Sequence, residues 1–230
     1  MSAIRANTII HGDCLRILKT LSDNSIDAII TDPPYGISYH GTRRKDKARW
    51  FNRIANDTAP YIWWLHDAAR VLKPKGALSC FTRYDTEEAF RFAIRLAGLE
   101  PKTQVIWDKG VHGVGDCCGD FGLRHENIIF AVKGRFLFPH KRPVSVLGVQ
   151  RLASKRLTHP NEKPVELLKH LIEATTRPGD IVLDPFVGSG TTAVAAKALG
   201  RRYIGIELDL GYANAAKARV SLTALSVHER

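Results

Sequence analysis

The stretch IDAIITDPPYGI, residues 26–37, decides how the rest of the chain is read. Ile26, Ala28, Ile29 and Ile30 make an apolar run with the character of a buried strand. The run stops at Thr31-Asp32-Pro33-Pro34-Tyr35, because two successive prolines donate nothing to a ladder and fix φ. The chain thus freezes its backbone between a carboxylate and an aromatic ring. If the strand belongs to a parallel α/β sheet, that corner lies outside a carboxyl end, where such sheets bind ligands.

Working outward, short apolar runs alternate with helical patterns. The spacing predicts strands over 8–10, 26–31, 77–82, 103–107, 127–132, 181–184 and 203–207. Tyr61, Leu65, Ala68, Ala69 and Leu72 keep helical spacing, with Lys73-Pro74-Lys75-Gly76 as the expected stop. Further helices are expected over 87–96, around Val165–Ile172 with Pro164 near its start, and over 191–199. This alternation predicts one α/β domain of Rossmann-like type, 1–230, with a mostly parallel sheet and helices on both faces. The runs 103–107 and 127–132 have no helical pattern between them, which predicts an antiparallel pair at an edge. Segments 38–56, 110–122 and 134–159 show no sustained period, and loops of that size are usually functional.

The second informative stretch is IVLDPFVGSGTTAVAAKALG, residues 181–200, which reads strand, glycine turn, helix. Gly188-Ser189-Gly190 lets backbone approach a ligand, and the helix start adds free N–H groups. Glu207 ends the next strand and is placed to accept from ribose hydroxyls. Together they predict a pocket for an adenosine-containing cofactor. Gly188, Gly190 and Ala193 also satisfy the dinucleotide pattern G-x-G-x-x-A, and a plain tight turn gives the same spacing. Two features favour a sulfonium cofactor with a free amino group. No room remains downstream for a second mononucleotide-binding half, and Asp184-Pro185-Phe186 sets an acid ahead of the glycines.

Asp32–Tyr35 supplies a carboxylate, a peptide carbonyl and an aromatic face, a trio that matches a planar base bearing an exocyclic amine. Asp32 and the Pro33 carbonyl would each accept one N–H, and the ring of Tyr35 would stack on the base. The amine lone pair would then be aimed at a methyl on sulfur, with the gain in rate coming largely from orientation. A strand-terminating turn with a capping acid is the bland alternative.

The balance of 34 Lys+Arg against 23 Asp+Glu, net charge +11, favours a polyanionic partner, nucleic acid first, over a merely cationic surface. No apolar run approaches the roughly 20 residues that span a bilayer, and the N-terminus lacks a signal-peptide core. Cys14, Cys80, Cys117 and Cys118 show no paired spacing, which suits a reducing cytosol. His112, Cys117, Cys118 and His125 make a poor zinc set, and no metal is expected.

TDPPYGI (31–37), HPNEKPVELL (159–168), VLDPFVGSGTT (182–192) and YIGIELD (203–209), in this order, resemble the DNA amino-methyltransferase family, beta group. The resemblance runs from about His11 to Tyr212. It implies S-adenosylmethionine as methyl donor, and N6 of adenine or N4 of cytosine as acceptor. By position it makes Asp32, Pro33, Pro34 and Tyr35 the catalytic segment. Asp184, Pro185, Phe186, Gly188, Ser189, Gly190 and Thr191 correspond to the methionine-binding loop, and Glu207, with Leu208 and Asp209, to the ribose site. His159, Asn161, Lys163 and Pro164 correspond to the segment that closes over the cofactor, and Asp13 to an acid near cofactor or base. Asp at the first catalytic position, where cytosine-N4 members mostly carry Ser, favours adenine. C5 chemistry needs a thiolate, usually after Pro, and no cysteine here follows proline.

A base inside a duplex must be rotated out before such chemistry. Basic runs stand ready for phosphates: Arg43, Arg44, Lys45, Arg49 and Arg53 after the catalytic corner, and Lys141, Arg142, Arg151, Lys155 and Arg156 farther on. Segment 38–56 is expected to be a mobile DNA-contacting loop. The resemblance places target recognition in 134–157, and the shortness of that region suits a short site, with a homodimer assisting. A cognate restriction nuclease and a cytoplasmic location in a bacterial or phage-infected cell complete the expectation. A cytosine-N4 enzyme, a catalytically silent nucleic-acid binder and a nicotinamide oxidoreductase stay open as alternatives.

Overall fold

A computed structural model of the chain describes residues 5–36, 55–112, 118–119, 121–152 and 162–223. Eight strands form one sheet: β1 (Thr8–His11), β2 (Ile26–Thr31), β3 (Leu72–Thr82), β4 (Glu100–Asp108), β5 (His125–Val132), β6 (Val146–Gly148), β7 (Ile181–Asp184) and β8 (Arg202–Glu207). Their spatial order is β1-β8-β7-β2-β3-β5-β4-β6. Only β5 runs against its neighbours, pairing antiparallel with β3 on one side and β4 on the other. The expected antiparallel pairing of β4 and β5 is therefore present toward one edge, with three-residue β6 outermost, parallel to β4.

Six helices connect the strands: α1 (Cys14–Leu18), α2 (Leu65–Val71), α3 (Glu87–Leu96), α4 (Val165–Thr175), α5 (Thr191–Ala198) and α6 (Leu210–Ser221). The chain moves from β2 to β3 in one direction across the sheet and from β7 to β8 in the other. Right-handed crossovers then put α2 and α5 on opposite faces. In keeping with this, α1, α2 and α3 pack together in one layer and α4, α5 and α6 in another. The core between the layers is built on Ile26, Ile29, Ile30, Leu78, Ile128 and Leu183, all fully buried.

Sequence pattern and structure part company at four places. Helix α2 ends at Val71; Leu72 opens β3, and Lys73–Gly76 lies within that strand. The stop signal does end the helix, and Lys73–Gly76 stays irregular: Lys75 takes φ 67°, its N–H donates to the Lys133 carbonyl, the register to β2 slips between Leu72 and Ala77, and the ladder to β5 begins at Ala77. Helices α1 and α6 and strand β6 had no pattern strong enough to declare them. Asp13 and Asp209 nucleate the two helices, their side chains accepting the N–H groups of Leu15 and Tyr212 at 2.9 Å.

Gly190, at the N-cap of α5, has φ 89°, and a Cβ there would stand 2.9 Å from the Cβ and 3.0 Å from the Cα of Ala216 on α6. The missing side chain admits the neighbouring helix. Gly98 also has positive φ, but nothing lies within 4 Å of its Cβ position. In urea denaturation Gly190→Ala is expected to lose about 2–4 kcal/mol, left-handed strain plus overpacking. Gly98→Ala should lose only the strain, about 1–2 kcal/mol.

Candidate active site

β2 and β7 are neighbours at the point where the chain reverses its travel across the sheet, and both end in an acid-bearing corner. The two corners touch. Thr31 Oγ1 donates to Asp184 Oδ1 at 2.7 Å, across 153 residues of sequence. Thr192 Oγ1 donates to Asp184 Oδ2 at 2.6 Å, and the Phe186 N–H to Oδ1 at 3.0 Å. Burial pushes the Asp184 carboxyl up to about 6, although all three donors favour its charged form.

A cleft of about 290 Å³ opens above this junction. Its cofactor-sized wall holds Asp13, Asp184, Pro185, Phe186, Gly188, Ser189, Thr191, Glu207, Leu208 and Asp209, ten of the residues singled out in the sequence. Glu207 is fixed by the Gly188 N–H on Oε2 (2.9 Å) and the Asp209 N–H on Oε1 (2.8 Å). Phe186 meets Tyr61 and Trp64 edge-on, at 5.9 and 5.5 Å between ring centres. Gly190 and Pro164 do not line the cleft; Pro164 is the N-cap of α4. His159 and Asn161 lie outside the described residues.

Sequence patterns gave no hint of Arg219, in the last turn of α6. Its Nη1 reaches Ser189 Oγ (3.2 Å) and Thr191 Oγ1 (3.1 Å), and stands 2.7 Å from Glu162 Oε1. It ties the glycine turn to the segment entering α4.

Among the described residues lining the cleft, seven are carboxylates and Lys163 is the one cation. Such a lining repels a pyrophosphate and suits a ligand carrying an ammonium and a sulfonium. S-adenosylmethionine fits on that ground, with Glu207 at hand for the ribose and the Phe186–Tyr61–Trp64 corner for apolar packing. The dinucleotide reading does not fit.

The catalytic corner is held from behind. The Gly36 N–H donates to Asp57 Oδ1 at 2.7 Å, and the Tyr61 N–H to the Pro34 carbonyl at 3.1 Å. Asp32, Pro33, Pro34 and Tyr35 all line the cleft. The ring of Tyr35 is not spread open for stacking, as the sequence suggested. It is buried, and its hydroxyl donates to Asp32 Oδ1. Lys163, expected over the cofactor, stands with Nζ 2.8 Å from Asp32 Oδ2. Burial pushes the Asp32 carboxyl up, partly offset by Lys163, and burial together with Asp32 pushes the Tyr35 phenol well above its usual range.

The basic residues divide. Arg43, Arg44, Lys45, Arg49, Arg53, Lys155 and Arg156 lie outside the described residues. Arg151 follows β6 beyond the carboxyl end of β4, on the rim that carries the cleft. Lys141 and Arg142 do not flank the cleft, contrary to expectation. Because β5 is reversed, the chain leaving it descends to the opposite end of the sheet. There Phe136, Leu137 and Pro139 share a groove with Asp27, Lys75 and Asp180. The chain then returns along the outer edge, where the Ile106 N–H donates to the Ser145 carbonyl.

A cleft of this composition at a switch point, with an acid–proline–proline–tyrosine corner at its lip, defines a methyltransferase acting on amines. The chain matches the DNA methylase family model N6_N4_Mtase over residues 26–143 and 139–218. It is 37% identical to methylase YubD of Escherichia coli (strain K12), over 92% of this chain and 89% of that protein. Type II methyltransferase M.HinfI of Haemophilus influenzae is 31% identical, over 93% and 68% of the two chains. The crystal structure of an M1.HpyAVI–SAM complex superposes with a TM-score of 0.70 at 28% identity, over 92% and 98%. The cytosine-N4-specific PvuII DNA methyltransferase, at 19% identity, TM-score 0.72, and 94% and 87% coverage, shares the fold. The chain belongs to the N6/N4 DNA methylase family, whose methyl donor is S-adenosylmethionine and whose substrate is DNA.

The Asp184 carboxyl, held near 6 against an ordinary 3.8, binds its proton more tightly folded than unfolded. Its contribution to stability is therefore full below about pH 4 and lost as pH rises through about 6. Asp184→Asn removes that slope. Unfolding free energies measured from pH 4 to 7 should show wild type falling relative to the variant, by about 3 kcal/mol at most.

Proposed function

We propose that this chain is a DNA adenine-N6 methyltransferase. The observation carrying the reading is Asp32: a carboxylate, rather than a serine hydroxyl, stands at the base-facing lip of a cleft shared with the glycine turn. The whole described chain serves as a single catalytic domain. Residues 134–157 take part in reading the target through the limb that returns to the cleft rim at Arg151, and 38–56, with Arg43, Arg44, Lys45, Arg49 and Arg53, track phosphates beside it. A second copy of the chain and a cognate nuclease are its proposed protein partners.

The target adenine turns out of the duplex and enters beside Tyr35. Its amine replaces the Tyr35 hydroxyl on Asp32 Oδ1 and gives its second N–H to the Pro33 carbonyl, while the freed ring stacks on the base. The bound cofactor supplies a methyl group on a positive sulfur. The nitrogen lone pair forms the new N–C bond as the S–C pair returns to sulfur. The methylated nitrogen then sheds a proton, with Asp32 its nearest acceptor. No covalent enzyme intermediate is needed. Fixed donors and acceptors do the work, through orientation and through charge placed before the reaction begins.

Incubating the protein with methyl-labelled cofactor and mixed-sequence duplex DNA, then digesting to nucleosides, should place the label in N6-methyladenine. Label confined to N4-methylcytosine would overturn the choice of base. Asp32→Ala should lose transfer by about 10³-fold or more while still binding cofactor. Tyr35→Ala should lose about 10- to 100-fold in kcat/KM, the worth of one stacked base. Tyr35→Phe keeps the ring and should stay within about tenfold of wild type.

A further inference from the structure

Behind Asp32 stands a carboxylate that does not line the cleft. Glu126, the second residue of β5, stands with Oε2 3.0 Å from Lys163 Nζ, the same ammonium that lies 2.8 Å from Asp32 Oδ2. Lys109, just past the end of β4, approaches Glu126 Oε1 at 3.5 Å. Lys163 Nζ stands over the Phe81 ring, 5.1 Å from its centre, and 6.0 Å from that of Trp107, so the lysine has little freedom to swing away. Its side chain is only 10% exposed. One buried ammonium is thus shared between two carboxylates: Glu126 has Lys109 as a second cation, whereas Asp32 shares its partner Lys163 with Glu126.

We propose that Glu126 is a positioning residue for methyl transfer: acting through Lys163, it fixes the Asp32 carboxylate against the incoming amine and sets how readily that carboxylate takes a proton. The strand topology makes this contact available. Only a reversed strand brings its amino end to the rim where the parallel strands end, and β5 is that strand. The other groups facing Asp32 and its partners are Tyr35 from the same corner, Cys80 and Arg83 from β3 and its exit, and Asp184 from β7. Glu126 opposes ionisation of Asp32, whereas Lys163 promotes it. On Lys163 itself, burial works against the charge, yet the two carboxylates hold the ammonium above its usual range.

A salt bridge that merely stabilised the fold would not move the pH dependence of the chemical step. This one should, with opposite signs at its two ends. In single-turnover methylation of duplex DNA across pH 5–8, the acid limb of the rate should move down by about 0.5 unit or more in Glu126→Gln. It should move up by about 1 unit or more in Lys163→Met, which strips Asp32 of its counter-charge. Glu126→Asp, which keeps the charge, should restore the wild-type limb. Cofactor affinity by calorimetry should stay within about threefold in the Glu126 variants, and melting curves identify any that fail to fold. In that case the Lys163→Met and Glu126→Asp limbs alone decide the matter. A Glu126→Gln or Lys163→Met limb that coincides with wild type, or two limbs that shift in the same direction, overturn the proposal, as does a loss confined to the KM for cofactor. The inference rests on Asp32 receiving the target amine but not on which base carries it. Transfer surviving in Asp32→Ala would sink that underlying reading, whereas a dead Asp32→Ala with unmoved limbs sinks the role of Glu126 alone.

Discussion

The site depends on one hydrogen bond, from Thr31 Oγ1 to Asp184 Oδ1. It joins the last residue of β2 to the last residue of β7, and so fixes the lip that faces a base against the wall that faces a cofactor. Methyl transfer needs the two reactants aligned within a few tenths of an ångström, and such alignment cannot be left to loops that move independently. Both partners are buried, so the bond meets little competition from water. Asp184 then spreads the constraint further, through Thr192 into α5 and through the Phe186 amide into the turn.

Around this joint the molecule separates its charges. The chain as a whole carries +11, yet the charged residues lining the cleft are, apart from Lys163, carboxylates. A positive exterior draws in the polyanionic substrate, while the acidic interior admits a cationic donor and turns phosphates away. Arg219 and Lys163 are the two cations that penetrate this region, and both are committed to carboxylates, Glu162 in one case and Asp32 with Glu126 in the other. They behave as internal ties between segments distant in sequence.

The strands β2, β7 and β8 and the corners that follow them were legible in sequence because apolar runs, prolines and glycines are local signals with local causes. The same holds for Asp32, Asp184 and Glu207, each at a predicted strand end. Contacts made by folding were not legible. Asp57, Glu126 and Arg219 belong to no motif, and only the tertiary arrangement brings them to the cleft. Glu126 did leave a faint trace, as an acid opening an otherwise apolar strand. Lys73–Gly76 marked the end of α2 as its turn chemistry predicts, while the earlier opening of β3 at Leu72 came from pairing with β2. Lys141 and Arg142 misled because closeness in sequence to a basic run says nothing about which end of a sheet the chain has reached. The packing of Gly190 against α6 was likewise hidden, since a missing side chain can admit a helix as readily as a ligand.

The bond between the Tyr35 hydroxyl and Asp32 has a consequence for how a base is admitted. Lys163 meets one oxygen and the phenol the other, so each oxygen of the carboxylate already has a partner within the protein. In the proposed mechanism the incoming base therefore trades its own N–H for the O–H of the phenol, and the acid exchanges a hydrogen bond rather than losing one. Only a guest that supplies its own N–H in place of the phenol, and a flat face for the ring it displaces, can unlock the corner.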